Sequence, residues 1–300
     1  MIAIDWGTSS LRAYRLDARG HVVDQRRAPL GILRCEGRFE AVLTEQIGGW
    51  DDARIVLAGM IGSRQGWREA PYVECPAGLG EIAAGMVEVD APTLPQRSIS
   101  IVPGLCQPAC SSTLSAVPDV MRGEEVQICG VLDELGPGTH TLCLPGTHNK
   151  WVSVHGNRIT ALRTAMTGEV FQVLCKHSIL GKLMKQDQHD ASAFERGLDA
   201  ATSSGGLLHQ LFGVRTLGLF GELAPEQSSS YLSGLLIGHE VRELAPPQAS
   251  CVHIIGSGSL VSLYAQALQR HGIAMQAHDE ACAATGMHRL AQSRWPEEAS

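Results

Sequence analysis

The feature that most constrains the fold is a strand–turn–strand pattern at the N-terminus. An apolar strand ends in a carboxylate, Asp5, and a second strand is predicted at residues 11–16. The polar turn between them contains Gly7, Thr8 and Ser9. Successive backbone N–H groups in such a turn make a concavity that binds anions, and glycine lets the main chain approach a ligand closely. The pattern therefore predicts a β-hairpin whose turn holds a phosphate.

The same pattern recurs near the middle of the chain. Residues 141–144 and 151–155 are strand-like, and the turn between them contains Gly146, Thr147 and Lys150. In both copies a third strand follows after another short turn. A nucleotide gripped between two lobes needs two facing phosphate loops, and a duplicated hairpin supplies them. The repeat thus predicts two lobes, each with a mixed sheet that opens with a three-stranded antiparallel meander and is flanked by helices.

A metal ion is expected at the first loop. Asp5 ends its strand beside the predicted phosphate-binding turn. Mg²⁺ favours hard oxygen ligands and usually keeps several waters, so a single carboxylate next to phosphates suits it. We therefore predict that Asp5 orients Mg²⁺.

A second loop carries candidate substrate-binding residues. Arg64 and Trp67 follow a short buried strand at residues 55–58, and ligands bind beyond such strand ends in open α/β sheets. The guanidinium of Arg64 is suited to a carboxylate, and Trp67 is suited to packing against a sugar. The residues alone support equally a surface ion pair for Arg64 and a core-edge position for Trp67.

A catalytic base is expected between residues 118 and 130. Phosphorylating an alcohol requires a carboxylate that accepts the hydroxyl proton. Asp119, Glu124 and Glu125 are the candidates, although acids in the first turn of a helix also stabilise its dipole. Arg122 lies among them and is a further candidate for binding an acidic substrate.

A third glycine-rich turn follows a predicted buried strand at residues 252–255. The turn contains Gly256, Ser257 and Gly258, and a helix is predicted from residue 260. Strand, Gly-x-Gly and helix in this order resemble the adenosine motif of actin-like ATPases, in which glycines let a nucleoside pass close to the main chain.

Composition excludes several classes of partner. The 24 basic and 31 acidic side chains give a net charge of −7, which argues against nucleic acid. No apolar stretch is long enough to span a bilayer, and the N-terminus lacks the pattern of a signal peptide. The nine cysteines are dispersed and odd in number, which indicates a reducing compartment. A cytoplasmic protein is therefore expected, with no membrane or nucleic-acid partner; a homodimer is left open.

Five segments together resemble the 2-dehydro-3-deoxygalactonokinase family, within the actin-like ATPase and sugar-kinase superfamily. They are residues 4–10, 118–125, 144–152, 166–171 and 230–238. The resemblance implies an α/β actin-like ATPase (ribonuclease H-like) fold, with an N-terminal lobe at 1–130 and a C-terminal lobe at 131–300. It also implies ATP-dependent phosphorylation of the 6-hydroxyl of 2-dehydro-3-deoxy-D-galactonate in galactonate breakdown, with ATP and Mg²⁺ as cofactors.

The resemblance also bears on individual residues. Glu124 aligns with the aspartate base of glycerol-kinase-like enzymes, but the longer acid leaves the role open among Glu124, Glu125 and Asp119. Pro145 stands where the superfamily often has an acid before the second loop, so metal binding rests mainly on Asp5. Two rival functions are a kinase of another sugar or sugar acid on the same fold, and an actin-like ATP-binding switch protein without catalysis.

Overall fold

The chain is an α/β protein built on two larger sheets and a small one. A computed structural model describes residues 1–109, 117–185, 189–246, 251–256 and 258–296. Its strands are β1 (Ile2–Trp6), β2 (Leu11–Leu16), β3 (Val22–Ala28), β4 (Arg54–Ala58), β5 (Val73–Glu74), β6 (Ala77–Gly78), β7 (Val87–Val89), β8 (Ser98–Ile101), β9 (Leu105–Gln107), β10 (Asp119–Met121), β11 (Thr139–Leu144), β12 (Asn149–His155), β13 (Arg158–Ala165), β14 (Cys251–Ile255) and β15 (Ala274–His278). Its α-helices are α1 (Phe39–Gln46), α2 (Leu79–Ala84), α3 (Glu124–Leu135), α4 (Thr167–His177), α5 (Ala191–Ala201), α6 (Gly206–Leu219), α7 (Ser228–Leu244), α8 (Gly258–Arg270) and α9 (Cys282–Arg294).

The first larger sheet has the strand order β3-β2-β1-β4-β8-β7. Strands β1, β2 and β3 form an antiparallel meander in which Asp5 lies opposite Arg12 and Leu11 lies opposite Ala28. Strands β4 and β8 run parallel to β1, and Ala58 pairs with Asp5. The carboxyl ends of β1, β4 and β8 therefore meet at one edge of the sheet, which is where ligands bind in open α/β sheets.

The second larger sheet has the strand order β15-β14-β11-β12-β13-β6. Strands β11, β12 and β13 are consecutive and joined by short turns. Strand β14 runs parallel to β11, with Ile254 opposite Cys143. The order β3-β2-β1-β4 of the first sheet thus recurs as β13-β12-β11-β14. The predicted repeat of the N-terminal hairpin is confirmed at the level of strand order.

The chain divides into two compact units. The first consists of Met1–His140, Val152–Leu162 and His278–Ser300, and the second of Thr141–Trp151 and Arg163–Ala277. Helix α9 belongs to the first unit because it packs on α3: Arg289 Nη1 donates to the Cys129 carbonyl oxygen at 2.7 Å. The lobe boundary at residues 130 and 131 stays a prediction. Helix α9 follows that boundary in the sequence, but it belongs to the first unit.

The core of the first unit is assembled from the meander strands and the helix that follows them. Phe39, Val42, Leu43 and Ile47 recur at helical spacing and are all buried. They pack with Trp6 and the strands β1 and β4. Burying one face of a short helix against a sheet stabilises the helix mainly through removal of apolar surface from water. In the part of the chain that the structure describes, no helix has the length and apolar character needed to cross a bilayer.

Candidate active site

The first predicted phosphate loop is an exposed turn fixed at its base. Gly7 N–H donates to the Ser10 carbonyl oxygen at 2.9 Å, and Ile32 N–H donates to the Gly7 carbonyl oxygen at 3.0 Å. Thr8, Ser9 and Ser10 are exposed to solvent. The local geometry therefore presents the hydroxyls of this turn outward, as a phosphate-binding role requires, while the turn itself is tied to the segment that follows β3.

Asp5 lies at the carboxyl end of β1, and about a quarter of its side chain is exposed. Its Oδ2 is 3.8 Å from Arg12 Nη1, and Arg12 Nη2 is 3.1 Å from Glu280 Oε1. Burial raises the pKa of Asp5; the charge of Arg12 opposes this shift, and the charge of Glu280 adds to it.

These surroundings fit a divalent cation at Asp5. Desolvation makes the carboxylate costly in its charged form, and its contact with the guanidinium is long. A bound cation would relieve that cost. Among the described residues no group of three or more His, Cys, Asp or Glu side chains forms a metal cage. A single carboxylate, completed by waters and nucleotide phosphates, is the mode in which proteins usually hold Mg²⁺.

Two glycines bring the predicted base segment to the end of β1. Gly59, directly after β4, has φ 91°, and Gly123, directly before α3, has φ 108°. A Cβ on Gly59 would lie 2.9 Å from the Trp6 carbonyl oxygen and 3.4 Å from Asp5 Oδ1. A Cβ on Gly123 would lie 3.3 Å from the Cα of Gly59. Asp5, Gly59 and the start of α3 therefore lie close together in space. A side chain at either glycine would strain the backbone.

The three candidate bases occupy different environments. Glu124 is half-buried, and its Oε2 accepts the N–H of Arg122 at 3.1 Å. Glu125 is fully buried; its Oε2 accepts the N–H of Gly123 at 2.7 Å, and its Oε1 has no hydrogen-bond partner in the described part of the chain. Asp119 begins β10, and its Oδ1 accepts the N–H of Val120 at 2.7 Å.

The two adjacent glutamates differ in burial. Burial, and secondly the neighbouring charge of Glu124, raises the pKa of Glu125 to about 8. With its pKa raised in this way, Glu125 is mostly protonated at pH 7 and is a poor proton acceptor. Glu124 keeps access to solvent at the start of the same helix, where a carboxylate is favoured by the helix dipole. Of the two, Glu124 has the environment that a base needs.

The raised pKa of Glu125 predicts a specific pH dependence of stability. The unfolded chain releases this proton near the ordinary value of 4.5, whereas the folded protein holds it to about pH 8. Folding binds a proton in this window, so the free energy of unfolding should fall as pH rises from about 4.5 to about 8. The Glu125→Gln variant should lack this pH-dependent contribution to the free energy of unfolding. It should therefore be more stable than the wild type at pH 9. Urea unfolding at pH 5, 7 and 9 measures the difference, and equal pH slopes in the two proteins would contradict it.

The candidate substrate-binding residues differ in their exposure to solvent and in their contacts. Arg64 is 88% exposed and pairs with Glu69, Nε to Oε1, at 3.0 Å. Trp67 is half-buried and packs against the core of the first unit. Arg122 donates from Nη2 to the Ala70 carbonyl oxygen at 2.8 Å, and its guanidinium carbon lies 4.4 Å from the centroid of the Tyr72 ring. Its Nε and Nη1 are buried without hydrogen-bond partners among the described residues.

In the second unit, the predicted phosphate loop is held from two sides. The N–H of Gly146 donates to Asn149 Oδ1 at 2.6 Å. The N–H of Glu169, in the first turn of α4, donates to the Thr147 carbonyl oxygen at 3.0 Å, and the Glu169 carboxylate contacts the His148 ring. Lys150 is buried, and its Nζ donates to Thr164 Oγ1 at 2.8 Å. The structure thus places Lys150 within the sheet, on the strand that follows the loop.

The predicted adenosine turn lies beside this loop. Because β11 and β14 are parallel neighbours, the turns that follow them start at the same edge of the sheet. A Cβ on Gly256 would lie 3.8 Å from Pro145 Cδ. Gly258 begins α8 with φ 67°, and Ser257 lies outside the described residues.

A cavity of about 270 Å³ opens between this loop and three helices of the second unit. Gly146 and Asn149 line it together with Thr167 and Gly168 of α4, and α7 and α8 supply apolar and hydroxyl side chains. The other lining residues are Phe171, His189, Ser229, Ser230, Ser233, Leu236, Ile237, Leu260, Leu263 and Tyr264.

Sequence reasoning missed most residues of this cavity. Thr167 and the serines at 228–230 have the composition of helix starts, so local pattern assigns them to capping. One signal in the sequence could have pointed to this cavity: residues 166–171 and 230–238 are two of the five segments that resemble the 2-dehydro-3-deoxygalactonokinase family.

Comparisons with known proteins agree over nearly the whole chain. The family model described as 2-keto-3-deoxy-galactonokinase matches residues 5–290. The 2-dehydro-3-deoxygalactonokinase of Escherichia coli (strain K12) is 37% identical over 90% of this chain and 90% of its own length. A protein assigned the same activity in Rhizobium meliloti (strain 1021) is 35% identical over 98% of this chain and 97% of its own.

Solved structures agree with the sequence relatives. The crystal structure of a candidate 2-dehydro-3-deoxygalactonokinase from Sinorhizobium meliloti has a TM-score of 0.88 and 34% identity, covering 100% of this chain and 98% of its own. The ADPNP-bound activator of the 2-hydroxyisocaproyl-CoA dehydratase from Clostridium difficile has a TM-score of 0.50 at 13% identity, covering 98% and 95%, and shows the fold alone. The predicted α/β actin-like ATPase fold is confirmed. The chain belongs to the 2-keto-3-deoxy-galactonokinase family and is a sugar-acid kinase, a phosphotransferase.

Proposed function

We propose that this protein transfers the γ-phosphoryl group of ATP to the 6-hydroxyl of 2-dehydro-3-deoxy-D-galactonate, in galactonate breakdown. One observation supports this proposal most directly: Asp5, Gly59, Gly123 and Glu124 lie close together in space at the carboxyl ends of β1 and β4. It offers a candidate metal-binding carboxylate and a candidate proton acceptor within one small region. A kinase needs both, because phosphoryl transfer is accelerated mainly by positioning and by charge stabilisation.

In the first unit, each residue has a distinct role in this proposal. Asp5 would hold Mg²⁺, which supplies charge neutralisation for the nucleotide phosphates. The turn at Gly7, Thr8 and Ser9 offers backbone and hydroxyl donors to phosphate oxygens. Glu124 accepts the 6-hydroxyl proton as the phosphoryl group arrives, since its carboxylate is only half-buried.

In the second unit, the nucleotide-binding role falls on the loop and the cavity. Thr147 offers its N–H and hydroxyl to a phosphate, while the N–H of Gly146 already bonds Asn149. Gly256 and Gly258 flank the adenosine turn, and the apolar side chains of the adjoining cavity would cover the nucleoside. Lys150, which bonds Thr164, contributes to the sheet that supports the loop.

The sugar-acid carboxylate is assigned to Arg122 rather than to the exposed Arg64. Two buried guanidinium nitrogens of Arg122 have no partner in the described protein, and leaving buried donors unpaired is costly. A carboxylate oxygen can accept from one of these donors in a charge-assisted hydrogen bond, which is stronger than a neutral one. Arg64 already has a carboxylate partner in Glu69 and little burial to strengthen a further contact.

Matched substitutions separate the two arginines. Arg122→Met is expected to raise KM for the sugar acid by about 10- to 100-fold with little change in KM for ATP, because one desolvated ionic contact is lost. Arg64→Met should change both constants by less than about threefold, as is usual for an exposed ion pair. Steady-state kinetics with each substrate varied in turn measure both. The reverse pattern would assign the carboxylate to Arg64.

A substrate panel tests the proposed reaction itself. ADP release should be fastest with 2-dehydro-3-deoxy-D-galactonate, slower with its gluconate-derived epimer, and slowest with neutral sugars. Phosphorus NMR coupled to the 6-methylene protons identifies the phosphorylated hydroxyl. Preference for a different sugar or sugar acid would favour the rival kinase assignment. Slow ATP hydrolysis that no sugar acid stimulates would favour the switch protein.

The proposal places the reaction in the cytoplasm. All eight cysteines within the described residues are free thiols. Thiols persist in reducing compartments, where disulfides are rare. The small-molecule partners in this proposal are the sugar acid and ATP.

A further inference from the structure

A buried carboxylate, Glu240, lies beneath the second phosphate loop, and the reaction proposed above does not use it. Glu240 is on α7, far in sequence from the loop. Its Oε1 accepts Trp151 Nε1 at 2.7 Å, and its Oε2 accepts Asn149 Nδ2 at 2.8 Å and the Tyr264 hydroxyl at 2.7 Å. All four side chains are buried. A carboxylate is costly to bury, and three good donors offset much of that cost.

The chemistry of a carboxylate determines how Asn149 is oriented. Both Glu240 oxygens accept hydrogen bonds from neighbouring donors, so Glu240 faces the NH₂ side of the Asn149 amide. The opposite side of that amide, Oδ1, is then turned toward the loop. There it accepts the N–H of Gly146 at 2.6 Å. The orientation of Asn149, and through it the position of Gly146, follows from the acceptor role of the Glu240 oxygens.

The same carboxylate fixes a wall of the nucleotide cavity. Tyr264 and Asn149 both line the cavity, as does Gly146. One acceptor group on α7 therefore holds β12, α8 and the loop in register. We infer that Glu240 is a positioning residue for ATP: it acts through Asn149 to hold the second phosphate loop, and through Tyr264 to hold the adjoining cavity wall. The inference rests on the proposed use of ATP at this loop.

Glu240→Gln is the sharpest test because it changes little in shape. The indole of Trp151 is donor-only, so the introduced amide must turn its oxygen toward Trp151. Its NH₂ group then faces the donors of Asn149 and Tyr264. The Tyr264 hydroxyl, to which Asn149 Nδ2 also donates, can accept from this NH₂ group, but the Asn149 NH₂ group then faces a second donor where it had a carboxylate acceptor. Rotation of the Asn149 amide relieves this donor–donor contact and leaves Gly146 N–H without its acceptor. The loop should lose its anchor while the helices stay packed.

The expected result is a selective defect in nucleotide handling. Glu240→Gln should lower kcat/KM for ATP by about 10- to 100-fold, the effect of unpairing a buried donor beside a reacting group, with KM for the sugar acid within about twofold of wild type. Hydrogen exchange of the peptide at residues 145–149 should accelerate in the nucleotide-free protein. Glu243→Gln is the matched control: it lies on the same helix, is exposed, and pairs with Arg242. It should leave both readouts unchanged.

A double-mutant cycle asks whether Glu240 acts through Asn149. Asn149→Ala should reproduce the ATP-selective defect, and adding Glu240→Gln to it should cost little more, because the link is already broken. Should Glu240→Gln fail to fold, Asn149→Ala decides alone: an ATP-selective defect supports the inference, and normal ATP kinetics overturn it.

Two other outcomes lead to different conclusions, one about the inference and one about the proposed function. Equal losses for both substrates, or faster exchange throughout the second unit, would overturn the inference, because they would mean that Glu240 serves only the stability of the fold. Absence of ATP-dependent sugar-acid phosphorylation in the wild type would instead overturn the proposed function. Hydrogen exchange at residues 145–149 would still report on the anchoring of the loop.

Discussion

Glu124→Gln is expected to lower kcat by about 100- to 10,000-fold, the range for loss of a general base. The amide keeps an oxygen that can accept the N–H of Arg122, so the start of α3 should be preserved. It cannot take the 6-hydroxyl proton at neutral pH, so the phosphoryl acceptor is no longer activated. KM for ATP should change little, because the proposed role of Glu124 concerns the sugar hydroxyl and not the nucleotide. Coupled ADP-release kinetics and calorimetric ATP binding measure the two effects separately.

The neighbouring acids provide matched controls for this experiment. Glu125→Gln replaces a side chain that is already neutral at pH 7, so kcat should stay within a few-fold of wild type. Asp119→Asn should behave similarly, because Asp119 bonds the N–H of the next residue at the start of β10. Near-normal turnover in Glu124→Gln, with a severe loss in either control, would transfer the role of base to that residue.

Asp5→Asn is expected to lower kcat by about 100- to 1,000-fold at moderate Mg²⁺ and to raise the Mg²⁺ concentration needed for half-maximal rate. The amide is neutral and a weaker ligand for a hard cation, while it nearly matches the carboxylate in shape. The strand should be unaffected, because its pairing with β2 and β4 uses backbone groups. Initial rates at a series of Mg²⁺ and Mn²⁺ concentrations measure the shift.

Glu280→Gln is the control for electrostatic effects at this site. Glu280 contacts the same arginine as Asp5, with Arg12 Nη2 at 3.1 Å, but it has no proposed role with the metal. Its loss should therefore leave the Mg²⁺ dependence close to wild type. If Asp5→Asn keeps the wild-type Mg²⁺ dependence, or if Glu280→Gln shifts it equally, then Asp5 is not the metal ligand.

Local sequence pattern was sufficient for the elements that carry the site. Both hairpins, their turns and the strand before the adenosine motif depend on short-range alternation and on turn residues, which act within a few positions. The apolar spacing of α1 and the acidic first turn of α3 are equally local. Pairing of consecutive strands then follows from the short turns, so the meanders were predictable as well.

The environments of the site residues were not predictable in the same way. Glu124 and Glu125 are adjacent and chemically alike, yet only Glu125 is fully buried, because the packing of α3 turns one side chain inward. Arg64 and Arg122 both stood out as cations near a predicted ligand edge. Tertiary packing leaves Arg64 in solvent and buries two nitrogens of Arg122 against the segment at Ala70 and Tyr72.

The sequence alone determined the fold class, the family and the positions of the two turns that we predict to bind phosphate, since these depend on patterns that are contiguous in the chain. Only the tertiary structure decided which carboxylates are buried, that Arg122 keeps two buried nitrogens without hydrogen-bond partners among the described residues, and that α9 joins the first unit. It alone revealed Glu240, whose partners Asn149 and Tyr264 lie 91 and 24 residues away. Burial and hydrogen-bond satisfaction depend on contacts between segments that are distant in the sequence. These contacts form only when the chain folds, so a local sequence pattern does not predict them.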